Sequence, residues 1–215
     1  MTVTDELVRF IADSTPPAAE LAAAGDHLAE VDRLVRASGD AVKDAHPAGS
    51  PTAMNRAWRT VIAAAAADGR PVIGATVIAL QHGSPVTAGE AQAAVAVGNA
   101  VAEKVAAALR SAESAARWSH DSVAGIIGAG AAAGRLLQLD ESQLGHLIGL
   151  CATQASGLAS ADGTATGTLQ LAKAAADAVE AATLARHGFT SSADGMTGRR
   201  GLFEVLAPGA TWPSS

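Results

Sequence analysis

The chain has 215 residues, 49% of them hydrophobic but only 3% aromatic, with no tyrosine. That length suits one domain with a sizeable core. Much of the apolar fraction is alanine, the best helix former and a weak strand former, so close-packed helices are expected. The formal net charge is −6, from 15 basic and 21 acidic residues; with no basic cluster beyond Arg199-Arg200 and few aromatics for stacking, nucleic acid is excluded as an expected partner.

A single cysteine, Cys151, leaves no disulfide framework within the chain. The N-terminus MTVTDELVRF carries acids and no apolar signal segment. The longest uncharged apolar stretch, Val123 to Gly134, falls short of the roughly 20 residues of a membrane helix. No membrane association and a cytoplasmic location are therefore expected.

Residues 4–13 read as a short amphipathic helix with Leu7, Val8, Phe10 and Ile11 on one side, ended by Ser14-Thr15-Pro16-Pro17. Residues 18–44 read as one or two further helices, with Leu21, Leu28, Val31, Leu34 and Val35 at helical spacing. Residues 46–51 are a loop, 52–67 a helix ending in the alanine run Ala63 to Ala67, and Asp68-Gly69-Arg70-Pro71 a turn. The apolar run Val72–Leu80 has the length of a strand, but no partner strands are evident, so it reads as a buried helix.

Thr87 with Glu90 forms a capping box for a helix over 88–110. Helices over 121–137, 141–155, 168–187 and 192–197 follow. Asp140 N-caps the second of these with Gln143 at the reciprocal position, and Gly188 closes the third. Residues 157–168 read as a long Gly/Ser/Thr loop, and the tail ATWPSS as frayed. The fold class is all-α.

The most informative segment is 118–158, WSHDSVAGIIGAGAAAGRLLQLDESQLGHLIGLCATQASGL. One imidazole, His120, precedes a helix so rich in Gly and Ala that another backbone can press against it. Four motifs follow in order: H-x-S-x-x-G-x-x-G-A-x-A-A-A-x-x-L-L-x-L-D over His120 to Asp140, T-Q-A-S-G-L ending at Leu158, A-x-L-A-R-x-G-F-T over Ala182 to Thr190, and G-x-x-G-x-F-x-V over Gly198 to Val205. In order and spacing the chain resembles the helical domain of the MmgE/PrpD family, the 2-methylcitrate dehydratases and cis-aconitate decarboxylases. The resemblance implies one helical domain over 1–215, with 45–205 most family-like and 1–17 and 208–215 peripheral. It also implies a dimer, no redox cofactor and no metal, and chemistry that removes a proton beside a carboxylate and expels water or carbon dioxide.

The chain departs from that pattern. The family's aspartate-rich stretch falls on Ala63, Ala65, Ala66 and Ala67, and its His-Pro on Arg70-Pro71. The lysine of its anion grip falls on Gly167. The family's second, lid-like domain is expected to be absent, because the chain stops at 215. A true 2-methylcitrate dehydratase is therefore not expected.

His120 matches the family's proton-abstracting histidine, and an imidazole suits proton transfer near neutrality; otherwise it packs or caps its helix. Asp121 and Ser122 either cap that helix or, with its free N–H groups, hold a substrate carboxylate. Lys173 either replaces the lost cationic grip or is a solvated surface residue. Asp162, Thr164 and Thr166 line the long loop, as substrate contacts or as turn formers. Asp68 is the acid beside the emptied helix and a second catalytic candidate.

His146 reads as a packed histidine and Cys151 as a small hydrophobe. No metal-ligand spacing is present. Gly125, Gly128, Gly130 and Gly134 lie inside a helix, so they read as packing positions rather than a nucleotide loop.

Two functions stay open. In the first the chain is a cofactor-independent lyase, isomerase or cyclase in which His120 moves a proton on a carbonyl- or carboxylate-bearing small molecule, such as a specialised-metabolite intermediate. In the alternative it is a non-catalytic partner subunit or ligand-binding module. A homodimer, or a heteromer with a related subunit, is expected in either case.

Overall fold

The computed structural model describes residues 2–37, 53–64, 72–82 and 85–213. Among them the regular structure is helical: α1 Val3–Asp13, α2 Ala18–Ala37, α3 Ala53–Ala64, α4 Val72–Gln81, α5 Ala88–Arg110, α6 His120–Leu136, α7 Glu141–Gln154, α8 Ala165–Arg186 and α9 Leu202–Leu206, with short 3-10 turns at Glu113–Arg117 and Ala159–Ala161. The described residues contain no strand, only an isolated bridge between Trp118 and Leu158. None of the described helices is long and apolar enough to cross a membrane.

α6 is the centre of the fold, packed against α5, α8, α4, α7 and α1. It can occupy that place because every position from Ser122 to Gly134 is small or aliphatic and buried. Its glycines set the closeness of each neighbour. A Cβ on Gly130 would lie 2.5 Å from the Cys151 sulfur of α7, and one on Gly134 would lie 2.6 Å from Leu144 Cδ2. α4 is buried along most of its length, which is why its apolar run shows no alternation. Thr76, its polar exception, donates to the carbonyl of Val72 at 2.9 Å, with that of Ala175 at 3.3 Å.

The helix boundaries follow local chemistry. Capping boxes close at Thr2/Asp5, Thr87/Glu90 and Asp140/Gln143. Gly188, at φ 83, ends α8 in a Schellman motif: its N–H donates to Ala185 and that of Phe189 to Leu184.

Three boundaries differ from the sequence expectation. α8 begins at Ala165, because Thr164 caps it by accepting from the Gly167 N–H at 3.2 Å. Residues 192–197 form turns rather than a helix: Asp194 Oδ1 takes the Thr197 N–H at 3.0 Å, and Gly195 comes close enough to Gly149 of α7 that a Cβ would lie 3.0 Å from its Cα. The tail is tied down as far as Trp212, whose ring meets that of Phe203 at 5.9 Å and whose indole N–H donates to Glu6 at 3.0 Å. α1, which receives that bond, places Leu7 and Ile11 fully inside the core.

Candidate functional site

α5 and α6 cross where Gly98 faces Gly128, so nothing larger than a backbone separates them. On the His120 side of that crossing the two helices and the start of α4 leave a cavity of about 250 Å³. Its α5 wall is the stripe Asn99, Ala102, Glu103 and Ala106, spaced three and four residues apart as one helix face requires. Its α6 wall is His120, Asp121, Ala124 and Gly125, and Val72 and Ile73 of α4 close it.

Ser119, not Asp121 or Ser122, is the N-cap of α6; its hydroxyl accepts from the Ser122 N–H at 3.4 Å. That leaves the half-buried His120 as the first residue of the helix, with Nε2 3.0 Å from the carbonyl oxygen of Ala115. A carbonyl only accepts, so this bond requires Nε2 to carry the proton. In the neutral ring Nδ1 is then the unprotonated, basic nitrogen. The 3-10 turn Glu113–Arg117 exists at the right distance because the Trp118 N–H donates to Ala115 at 2.9 Å and the Ser119 N–H to Gly157 at 3.0 Å.

Asp121 shares the cavity with His120. Ser122 does not: it is buried on the opposite side of the helix start, its hydroxyl 3.5 Å from the Gln170 carbonyl and its Cβ against Gly157. Thr164 is occupied as the cap of α8 and donates to Ala161 at 2.6 Å. Asp162 and Thr166 are exposed beside it. Lys173 is exposed on α8 and paired with Asp177 one turn on. None of these four lines the His120 cavity. Asp68 lies outside the described residues.

Gly167, where the resemblance sets a lysine, is buried, and a Cβ there would stand 2.3 Å from the Ala161 carbonyl. No side chain of any kind fits at that position, so the chain cannot carry the family's cation there. The cavity's described polar lining is Asn99, Glu103, His120 and Asp121, with the Glu103 carboxylate paired to Arg110 at 2.6 Å.

Glu103 and Asn99 are the wall residues that the sequence reading passed over. Two polar side chains four apart on one helix face, the first next to a glycine, were the available signal. Among the other candidates, the half-buried His146 uses Nδ1 to accept the Ser191 N–H at 3.2 Å and so holds the loop after α8. Cys151 is fully buried, and burial pushes its thiol far above the ordinary range, with Asp177 adding to it; it cannot serve as a nucleophile. The described residues hold no cluster of His, Cys, Asp or Glu suited to a metal.

None of the curated proteins matches the chain. The model of the MmgE/PrpD N-terminal domain, however, matches residues 42–215. This match takes in α3 to α9, including both walls of the His120 cavity and the close α5–α6 crossing beside it. The chain belongs to the MmgE/PrpD family, and over those residues it is that family's N-terminal domain.

Proposed function

We propose that the chain is a proton-transferring enzyme of the MmgE/PrpD type, with His120 as the base. The observation that carries this reading is the bond from His120 Nε2 to the Ala115 carbonyl at 3.0 Å, which fixes the tautomer and leaves Nδ1 as the acceptor in a ring that lines a cavity. The substrate is a small molecule with a carbonyl or carboxylate. Nδ1 takes a proton from the carbon beside that group, and the electron pair of the broken C–H bond moves onto the carbonyl as an enolate. The pair then returns to expel a leaving group, giving a lyase, or to take the proton back elsewhere, giving an isomerase.

The wall chemistry narrows the substrate. Asp121 and the Arg110-paired Glu103 bring carboxylates to the cavity; negative charge favours the imidazolium that forms and repels a polyanion. A mostly uncharged substrate, such as a biosynthetic intermediate, suits this lining better than a tricarboxylate. No cofactor is needed for the step as written.

The test is the native reaction, found from the metabolites that accumulate when the gene is deleted, followed by the rate of a His120→Ala variant. Unchanged turnover would remove His120 from the mechanism.

A second reading, a partner subunit or binding module, draws on Leu158 and Leu169. They are 56% and 49% exposed, and the Gln170 side chain, next to Leu169 in sequence, bonds both the N–H and the carbonyl of Leu158. A homodimer or a heteromer with a related chain would cover them. Sedimentation that gives a monomer at micromolar concentration, with truncation of both leucines to serine changing nothing, would end that reading.

A further inference from the structure

Away from His120, the last turn of α7, the turns after α8 and the short α9 enclose a cavity of about 340 Å³, at the lower end of the usual size for small-molecule sites. Its apolar lining is Ala152 from α7 and Leu202, Val205 and Leu206 from α9, with Thr153 and Ser192 beside them. Val205 is 60% exposed, an unusual place for a large aliphatic side chain. On its rim stand Arg199 and Arg200. Arg200 is fixed at φ 70, a backbone region that non-glycine residues seldom adopt, and the turn beneath it is closed by the Gly201 N–H on the Gly198 carbonyl.

Several arginines of this acidic chain are engaged. Arg33, Arg36 and Arg110 pair with carboxylates, and Arg135 holds the carbonyls that end α1. Among the described residues Arg199 and Arg200 have no such partner. The Asp194 carboxylate also lines the cavity, yet its oxygens are taken by the N–H and hydroxyl of Thr197 and the hydroxyl of Thr4.

We infer that this cavity binds a small monoanion with an apolar tail, a carboxylate whose head meets Arg199 and Arg200 and whose chain covers Val205 and Leu202. Two arginines beside one carboxylate leave the lining with a net positive charge that one carboxylate head would neutralise. The apolar lining supplies the burial that a bare anion would not use. Asp194 selects a single negative charge, because a doubly charged phosphate ester would meet its carboxylate as well. The site uses neither His120 nor its cavity, so it stands apart from the proposed reaction.

Calorimetric titration of the full chain with octanoate, octyl phosphate, octanol and inorganic phosphate tests this. Octanoate should bind in the millimolar range or tighter, and the other three should bind at least about tenfold more weakly, the scale of one lost charged hydrogen bond. Arg199→Gln combined with Arg200→Gly should lower octanoate affinity by a similar factor with an unchanged circular dichroism spectrum, since glycine is at ease at that φ. Val205→Asp should also lower it, by placing a carboxylate in the apolar lining. Equal affinity for octanol, a preference for octyl phosphate, no octanoate binding, or full octanoate affinity in the arginine variant would each overturn the assignment.

Discussion

Gly98 of α5 and Gly128 of α6 stand face to face, so that a Cβ on Gly98 would lie 2.7 Å from the Gly128 carbonyl and one on Gly128 would lie 2.5 Å from the Gly98 carbonyl. Backbone cannot swing aside as a side-chain tip can. The contact therefore fixes how near the two walls of the His120 cavity come.

Gly128→Ala should force α5 and α6 apart and destabilise the fold by about 1–3 kcal/mol, the usual cost of overpacking. Gly145→Ala is the matched control. Gly145 also lies inside a helix, but a Cβ there meets nothing within 4 Å, so that change should be neutral or stabilising by up to about 1 kcal/mol. Denaturant unfolding of both variants checks the pair; equal shifts would show that the crossing is not tight.

His27 offers a pH-dependent test. Its Nε2 is buried without a hydrogen bond, against Gly74 of α4, and desolvation holds its pKa below the ordinary value of 6.5. The unfolded chain therefore takes up a proton that the folded chain resists. Stability from this source is complete above that ordinary value and is lost as the pH falls below it. Unfolding of the wild type and of His27→Leu at about pH 7.5 and about pH 5.5 should show the wild type losing more than the variant over that interval. Parallel losses would assign the acid sensitivity elsewhere.

Neither 2-methylcitrate nor cis-aconitate should be turned over at a rate typical of enzymes, about 1 per second or more. Such polycarboxylates need fixed cations and donors. Gly167 has no room for the lysine of the family pattern, Ala63 is a buried methyl where the pattern has an acid, and the described lining of the His120 cavity contains no lysine or arginine. A coupled absorbance assay with each substrate decides it.

What the sequence made legible was local. Thr87/Glu90, Asp140/Gln143 and Gly188 announce their roles within a few residues, since a cap needs only its own turn. The family was legible too, because His120 and the glycines of α6 keep their spacing. What stayed hidden depended on contacts between distant segments. The turn at 192–197 is decided by its contact with Gly149, far back in the chain on α7, and the Asn99/Glu103 wall becomes a site only once Gly98 meets Gly128. Lys173 looked available until α8 placed it one turn from Asp177.

Proton transfer by His120 is the step on which the proposed reaction depends, and solvent-deuterium exchange reads it directly. With the native substrate in heavy water, the wild type should incorporate deuterium at the carbon beside the carbonyl. His120→Ala should fold normally, because a half-buried residue at a helix start contributes little core volume, and should slow exchange by about a hundredfold to ten-thousandfold. Exchange at the wild-type rate in His120→Ala would contradict the proposed mechanism.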